Sequence, residues 1–398
     1  MSDDRPEVAF VVQRYGEGIT GGSESLARAV AERLAGELRT TVFTTCARDY
    51  VTWRNELPAG RETLGGVEVR RFPVAEERDL DAFNAFAEPL YRRERSHEEE
   101  IEFLRRQGPH APGLVEALRA EKDRFAAVVF FTYLYSPTYW GLRAFPERAA
   151  LVPTTHDEPP LRFSVYREVF GAPRAFGFLT PAEEALVRAR FPLGDRPAFL
   201  VGMGVEAPPA PDAVSFRARH GLDRPYLLYA GRIDAGKGCA EMLAHHESYR
   251  RDKAGAADLV LIGRLAMPLP DGPGVRYLGF LPEDEKAAAM AGASAVVCPS
   301  PYESLSIVLL EGLALGTPGL VSARSPVLEE HCRRSNAGLF YADADEYAEA
   351  ADTLVRDHVL RAALGANGRA YVAAEYRWDV VLDRWRALLA AATGRASS

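Results

Sequence analysis

Glu303 and Glu311 carry the strongest chemical signal in this sequence. They belong to Pro299-Ser-Pro-Tyr-Glu303-Ser304-Leu305-Ser306-Ile307-Val-Leu-Leu-Glu311-Gly-Leu-Ala-Leu-Gly-Thr-Pro318, which reads as a strand-to-helix turn running into an apolar helix. A carboxylate inside such a helix is costly unless paired, so Glu311 needs either a structural cation or a ligand with hydroxyls. Eight residues of helix at about 1.5 Å each would set the two carboxylates roughly 12 Å apart. That exceeds the roughly 5 to 9.5 Å of a glycosidase pair, so they should not flank one scissile bond. They can instead hold the two ends of an extended ligand. The amides of Ser304, Leu305, Ser306 and Ile307, at the helix N-terminus, would face a diphosphate between them.

A second segment, Tyr229-Ala-Gly231-Arg232-Ile-Asp-Ala-Gly236-Lys237-Gly238, repeats the order strand, glycine-rich turn, helix start. Its two cations can converge on one anion, arginine as a planar fork and lysine as a point charge. A Walker A loop is excluded because Gly238 stands where Ser or Thr is required. The alternative for Lys237 is a surface salt bridge. His156, in Thr154-Thr-His156-Asp157-Glu-Pro-Pro160, follows a strand whose carboxyl end should open onto a ligand crevice. There it can bond a substrate hydroxyl or be merely structural. Gly16-Glu-Gly-Ile-Thr-Gly21-Gly22-Ser-Glu24 contains G-x-G-x-x-G, but the preceding strand is expected to end near Val12 and no acidic residue sits where a dinucleotide ribose would need one. Gly21 and Gly22 are better placed to let a phosphate approach a helix N-terminus, with a bare turn as the alternative. Together these features describe a sugar, a diphosphate and a ribose in line, a nucleotide-diphosphate sugar.

The elements that must position these residues alternate along the whole chain. Short apolar runs are expected as strands at 8–12, 41–45, 67–72, 127–131, 150–153, 176–179 and 199–201, then at 226–230, 259–262, 275–278, 295–298, 318–321 and 338–340. Buried parallel strands read as continuous runs of this kind, so the expected fold is α/β, two doubly wound Rossmann-like domains. The proline-rich stretch after Gly202 cannot continue a strand or helix, which puts the boundaries at 1–206 and 207–378, with a terminal helix at 379–398. Residues 76–124 read as charged helices inserted in the first domain, either a solvated face or a contact for the acceptor.

The 398 residues carry 48 Lys+Arg and 56 Asp+Glu, a net charge of −8, which argues against nucleic acid as a partner. The four cysteines and eight histidines form no metal-ligand spacing, so no metal is expected. No run of about 18 uncharged apolar residues is present and the N-terminus is acidic, so a cytoplasmic protein is expected. Local basic and aromatic residues would still permit peripheral contact with the inner face of a membrane.

The sequence closely resembles the retaining glycosyltransferases of the GT-B fold, family 4. The pair Glu303 and Glu311, the segment with Arg232 and Lys237, the Gly21-to-Glu24 loop, His156-Asp157, Gly204-Val-Glu and Tyr376-Arg-Trp378-Asp occur in the family's order. The resemblance implies two domains facing each other across a cleft, with the terminal helix crossing back to the first. It implies that Arg232 and Lys237 neutralise the departing diphosphate, Glu311 binds the ribose, and Glu303 and His156 contact the transferred sugar. Gly22 would lie near the phosphate, with Gly21 and Gly231 in the donor-binding turns, and the amides after Phe280 would meet the base. It further implies a metal-independent hexosyltransferase without a cofactor, of the kind used in polysaccharide biosynthesis, acting on a glycan, lipid-linked or small-molecule acceptor. Two departures bear on donor identity: Ser306 stands where many members have glycine, and Met203 where asparagine is common. A nucleotide-sugar epimerase, an NAD-dependent oxidoreductase and a non-catalytic subunit are the rival readings; the second leaves both glutamates and both cations unexplained.

Overall fold

A computed structural model describes residues 5–206, 208, 211–270, 272 and 274–394. Part of the expected proline-rich linker, Ala207, Pro209 and Ala210, lies outside the described residues, as does the end of the expected terminal helix from Ala396 onward with Arg395. The chain divides into two compact units, one formed by Met1–Met203 with Leu382–Ser398 and the other by Gly204–Val381.

The first unit is built on eight strands: β1 (Glu7–Val11), β2 (Arg39–Thr45), β3 (Gly60–Leu64), β4 (Val67–Phe72), β5 (Ala127–Phe131), β6 (Ala149–Val152), β7 (Ala175–Phe178) and β8 (Ala198–Leu200). They lie in the order β3-β4-β2-β1-β5-β6-β7-β8. All pair in parallel except β3, which is antiparallel to β4. β1 and β5 are buried along their whole length, which explains their uninterrupted apolar sequences. β3 was not expected, because its residues Gly-Arg-Glu-Thr-Leu are polar and almost wholly exposed. It forms as an edge strand because Gly65 and Gly66, both at positive φ, make the tight turn that a two-residue hairpin needs.

Within 76–124 the chain forms helices Leu80–Leu90, His97–Gln107 and Pro112–Ala120. The second starts on a reciprocal cap between Ser96 and Glu99. Most of their charges face solvent, though Glu100 is buried on Arg95 and the N–H groups of Ser164 and Val165; Phe83, Leu90, Phe103, Leu104, Leu114 and Leu118 join the core of the first unit. The helix Trp378–Thr393 brings Trp385 into the same unit, where its ring lies 5.9 Å from that of Phe131 and 6.2 Å from that of Phe10.

The second unit has six parallel strands: β9 (Tyr226–Ala230), β10 (Asp258–Ile262), β11 (Val275–Tyr277), β12 (Ala295–Cys298), β13 (Gly319–Ser322) and β14 (Gly338–Tyr341). Their order is β11-β10-β9-β12-β13-β14, so the direction of winding reverses between β9 and β12. In open α/β sheets the loops leaving the carboxyl ends of the strands at such a reversal are where ligands bind. Here those loops are Gly231–Gly238 and Pro299–Ser306, the two segments singled out by their charges.

Candidate active site

In the second unit the chain leaves β9 at Gly231, whose N–H donates to Ile262 O at 2.9 Å, and the adjacent Tyr229 hydroxyl donates to Arg232 O at 2.6 Å. Both ends of the Arg232 peptide are thereby tied down. The Arg232 guanidinium contacts the Asp234 carboxylate. Asp234 also accepts from the Lys237 N–H at 2.9 Å, closing a short turn that sets the direction of the lysine. Gly238 follows with φ of 76°, and a Cβ there would meet Pro299 O at 2.4 Å. Only glycine permits this left-handed turn and lets the two loops pass so closely. The consequence is that Lys237 Nζ lies 2.8 Å from Glu303 Oε1.

Glu303 stands in the loop, and the helix begins only at Ile307, capped by Ser306 at φ 64° and ψ 73°. Of the eight steps between the two glutamates, only those from Ile307 to Glu311 are helical. Ser304 and Leu305 are loop residues, and the first turn starting at Ile307 directs its amides toward the same loop end. Leu305 is buried, and its carbonyl accepts from His331 Nε2 at 2.8 Å. Because a carbonyl can only accept, that nitrogen carries the proton, and Nδ1 accepts from the Tyr371 hydroxyl at 3.1 Å. Burial depresses the His331 pKa to about 4, so the ring is neutral and the tautomer single.

Both alternatives for Glu311 bear on what is observed. Oε1 pairs with Lys286 Nζ at 3.0 Å, a structural cation, while Oε2 is buried with no hydrogen-bond partner. Burial raises the Glu311 pKa and Lys286 opposes the shift. For Lys286, burial acts to lower the pKa, but Glu311 and Glu283 outweigh it and the ammonium is retained. Gly279 and Phe280 lie just after β11, and Phe280 is an apolar ring left 74% exposed.

In the first unit, Gly21 precedes the helix Gly22–Leu34, and a Cβ on it would lie 2.3 Å from Glu24 Oε2. Glycine is needed there because Glu24 folds back to a buried pair with Arg14, whose guanidinium also donates to Thr20 O and Arg48 O. Gly22 has open space around it. β1 ends at Val11, five residues before Gly16, so the G-x-G-x-x-G glycines do not form a single turn off the strand.

His156 lies in the loop after β6. Its Nδ1 is 3.1 Å from Glu158 Oε1, within ion-pair distance, and that oxygen accepts from the Tyr133 hydroxyl at 2.8 Å. Burial lifts the Glu158 pKa to about 7, against the Tyr133 hydrogen bond. The strand ends that carry this cluster are unusual. Thr132 after β5 and Thr154 after β6 have φ of 65° and 49°, and their hydroxyls meet at 3.0 Å. Left-handed backbone at non-glycine residues costs about 1–3 kcal/mol each and gathers at functional sites. Glu183, fully buried, holds the loop by accepting from the N–H groups of Thr155 and Leu179 at 2.5 and 2.6 Å.

Arg232, Lys237, Glu303 and Glu311 thus share the second unit, whereas Gly21, Gly22 and His156 belong to the first. Sequence reasoning missed Asp234, Lys286, Glu158, Tyr133, Glu183 and His331. Lys286 reads as one charge among Glu283-Asp-Glu at a helix start, and no local pattern announces its partner 25 positions away. Among the described residues no group of three or more His, Cys, Asp or Glu is placed to hold a metal ion. No helix among them is long and apolar enough to cross a membrane.

The architecture, two parallel-sheet Rossmann-like units, is that of the GT-B glycosyltransferases. Sucrose-phosphate synthase from Thermosynechococcus elongatus superposes with a TM-score of 0.72 at 21% identity, over 97% of this chain and 100% of that one. Anabaena HepE in complex with UDP and glucose gives 0.70 at 14% identity, over 97% and 100%. Residues 212–371, most of the second unit, match the glycosyl transferases group 1 family. Over nearly the full length, the chain is 28% identical to a D-inositol 3-phosphate glycosyltransferase of Frankia alni, covering 90% of this chain and 92% of that protein.

Proposed function

We propose that this protein is a glycosyltransferase that moves a sugar from a nucleotide-diphosphate sugar to an acceptor hydroxyl with retention of configuration. The observation that carries the reading is the meeting of Lys237 and Glu303 at the reversal point of the second sheet, at the mouth of the helix that carries Glu311. A cation, a helix N-terminus and a carboxylate with an unused oxygen are what a diphosphate flanked by two polyols requires. The group 1 match over 212–371 and the full-length likeness to a sugar-transferring relative support it.

In this reading the second unit binds the donor. Arg232 and Lys237 stabilise charge on the departing diphosphate, Glu303 orients the sugar, Glu311 reads the ribose, and the exposed Phe280 with its neighbouring amides meets the base. The first unit takes the acceptor, with His156 beside Glu158 and Gly21-Gly22 admitting a phosphate. Retention follows from front-face attack: the acceptor oxygen bonds to the anomeric carbon as the diphosphate leaves, and a phosphate oxygen takes the acceptor's proton. Positive charge on the sugar and negative charge on the phosphate then develop side by side, which is where two cations act without a metal.

A thermal-shift screen against UDP, GDP, dTDP and ADP sugars tests donor binding, because a ligand at 100 times its dissociation constant stabilises a fold by about 2.7 kcal/mol. A shift with one nucleotide series, followed by NMR of the product anomer after incubation with glycan, lipid and polyol acceptors, is the expected outcome. No shift with any series, or a product of inverted configuration, would overturn the assignment. Epimerised sugar nucleotide appearing without acceptor would point to an epimerase instead.

A further inference from the structure

The ion pair between Glu311 and Lys286 joins two helices, Ile307–Leu315 and Glu283–Ala291, and it divides the carboxylate into two unequal oxygens. Oε1 is taken by the ammonium at 3.0 Å, and the same ammonium is anchored from its other side by Glu283 at 2.6 Å. Oε2 is buried without a donor. A buried acceptor left unmatched is destabilising, more so when charged, which is an unusual feature for a carboxylate serving stability alone. The side chain as a whole is 22% exposed. Rotation about the terminal Glu torsion, which is broad and nearly two-fold, can bring Oε2 to that exposed edge.

We infer that Lys286 is the positioning residue that turns Glu311 into a selective acceptor for a ribose hydroxyl: it occupies one oxygen and leaves the other to the nucleotide. The inference rests on the proposed reading of Glu311 as the ribose contact. An ionised carboxylate can only accept, so its free oxygen calls for a hydrogen-bond donor, which a ribose hydroxyl supplies. Without Lys286, burial would favour the protonated acid, whose oxygens are weaker acceptors and whose proton competes for the same contact. A lysine kept merely for packing would affect every nucleotide alike. A lysine that sets the acceptor affects only those that carry the hydroxyl.

The test is a binding comparison by calorimetry on the full chain with UDP and GDP, each against its 2′-deoxy and 2′,3′-dideoxy forms. Wild type should prefer the ribonucleotide by about 10- to 100-fold, the range expected for a hydrogen bond to a charged group. Lys286→Met should weaken ribonucleotide binding until that preference falls within threefold, leaving the dideoxy affinity unchanged. Lys286→Arg, which restores the cation, should recover most of the preference and guards against a poorly folded methionine variant. A folded Lys286→Met chain that keeps the wild-type preference, or that loses affinity for all forms equally, would overturn the inference while leaving the glycosyltransferase reading intact. Failure of the wild type to bind either ribonucleotide would bring down that reading itself, and the inference with it.

Discussion

Lys237 and Glu303, 66 residues apart, meet at 2.8 Å across the loops that leave β9 and β12. The lysine is held by Asp234 beneath its amide and by the glycine that follows it. The glutamate is held by a loop whose next carbonyl but one is bonded to His331. Neither side chain is buried deeply enough for the pair to matter much to stability, since part-exposed pairs contribute about 0–1 kcal/mol. Its position at the crevice is the more informative property.

The first prediction concerns that pair. Lys237→Ala should leave the melting temperature nearly unchanged and lower the transfer rate by about 100-fold or more, the loss typical of removing one donor to developing negative charge. Arg232→Ala should do the same. Lys237→Ala with Glu303→Ala should fall short of the product of the single effects, because residues in contact are not additive. Steady-state transfer rates decide it. If each single change left the rate within about twofold, worth less than 0.5 kcal/mol of barrier, the role assigned to the two cations would be wrong.

Ser306 supplies the second. It caps the helix in left-handed backbone, a conformation that costs an L-residue about 1–2 kcal/mol and glycine almost nothing. Ser306→Gly should therefore raise stability by about 0.5–1 kcal/mol, whereas Ser306→Ala, which keeps the strain, should not. Denaturant midpoints at constant m-value would put glycine above both serine and alanine. Finding alanine at or above glycine would mean that the backbone at 306 is not under strain.

A pH dependence follows from His331. Its folded pKa is near 4 against about 6.5 for a free histidine, so the unfolded chain binds the extra proton first as pH falls. Stability from the neutral ring is fully present above about pH 6.5 and is lost progressively toward pH 4, by up to about 3 kcal/mol. His246, buried and also near 4, acts in the same direction. Glu158 and Glu183, with pKa values raised to about 7 and 8 by burial, act oppositely over part of that range, so the useful quantity is wild type minus variant. His331→Gln, which can still donate to Leu305 O, should flatten the decline between pH 6.5 and 4 by about one proton. An unchanged slope in urea titrations would show that His331 titrates normally.

The sheets were legible because a buried parallel strand must be a short apolar run. The thirteen runs read from sequence match strands to within a residue or two at their ends. β3 escaped because an edge strand with both faces wet leaves no such trace. The charged motifs were legible as separate segments, because Arg232 and Lys237, or Glu303 and Glu311, are close in the chain. What joins them was not. Lys286 to Glu311, Tyr133 to Glu158 and Glu183 to Thr155 are contacts made by the tertiary fold, and the left-handed threonines after β5 and β6 are forced by strand ends that no local propensity favours. The helix start was legible too: the turn holding Glu303 and a helix N-terminus around Leu305 to Ile307 agree with the helix Ile307–Leu315.

The last prediction concerns the terminal helix. Trp385 has no exposed surface, stacks on Phe131, and donates from Nε1 to Gly202 O at 3.4 Å, while Leu388 packs where a Cβ on Gly177 would come within 2.7 Å of it. Arg386 adds an ion pair to Glu37 at 2.7 Å. The helix therefore completes the core of the first unit although it follows the whole of the second in sequence. Trp385→Ala should cost about 3–5 kcal/mol, the usual range for a large aromatic cavity, and Arg386→Ala less than about 1 kcal/mol because that pair is exposed. The loss should fall on the first unit: in a scanning calorimetry experiment with a nucleotide bound to the second unit, the transition that the nucleotide raises should stay in place while the other moves down by several degrees. A single transition that moves as a whole would mean that the two units unfold together, and that the helix stabilises both.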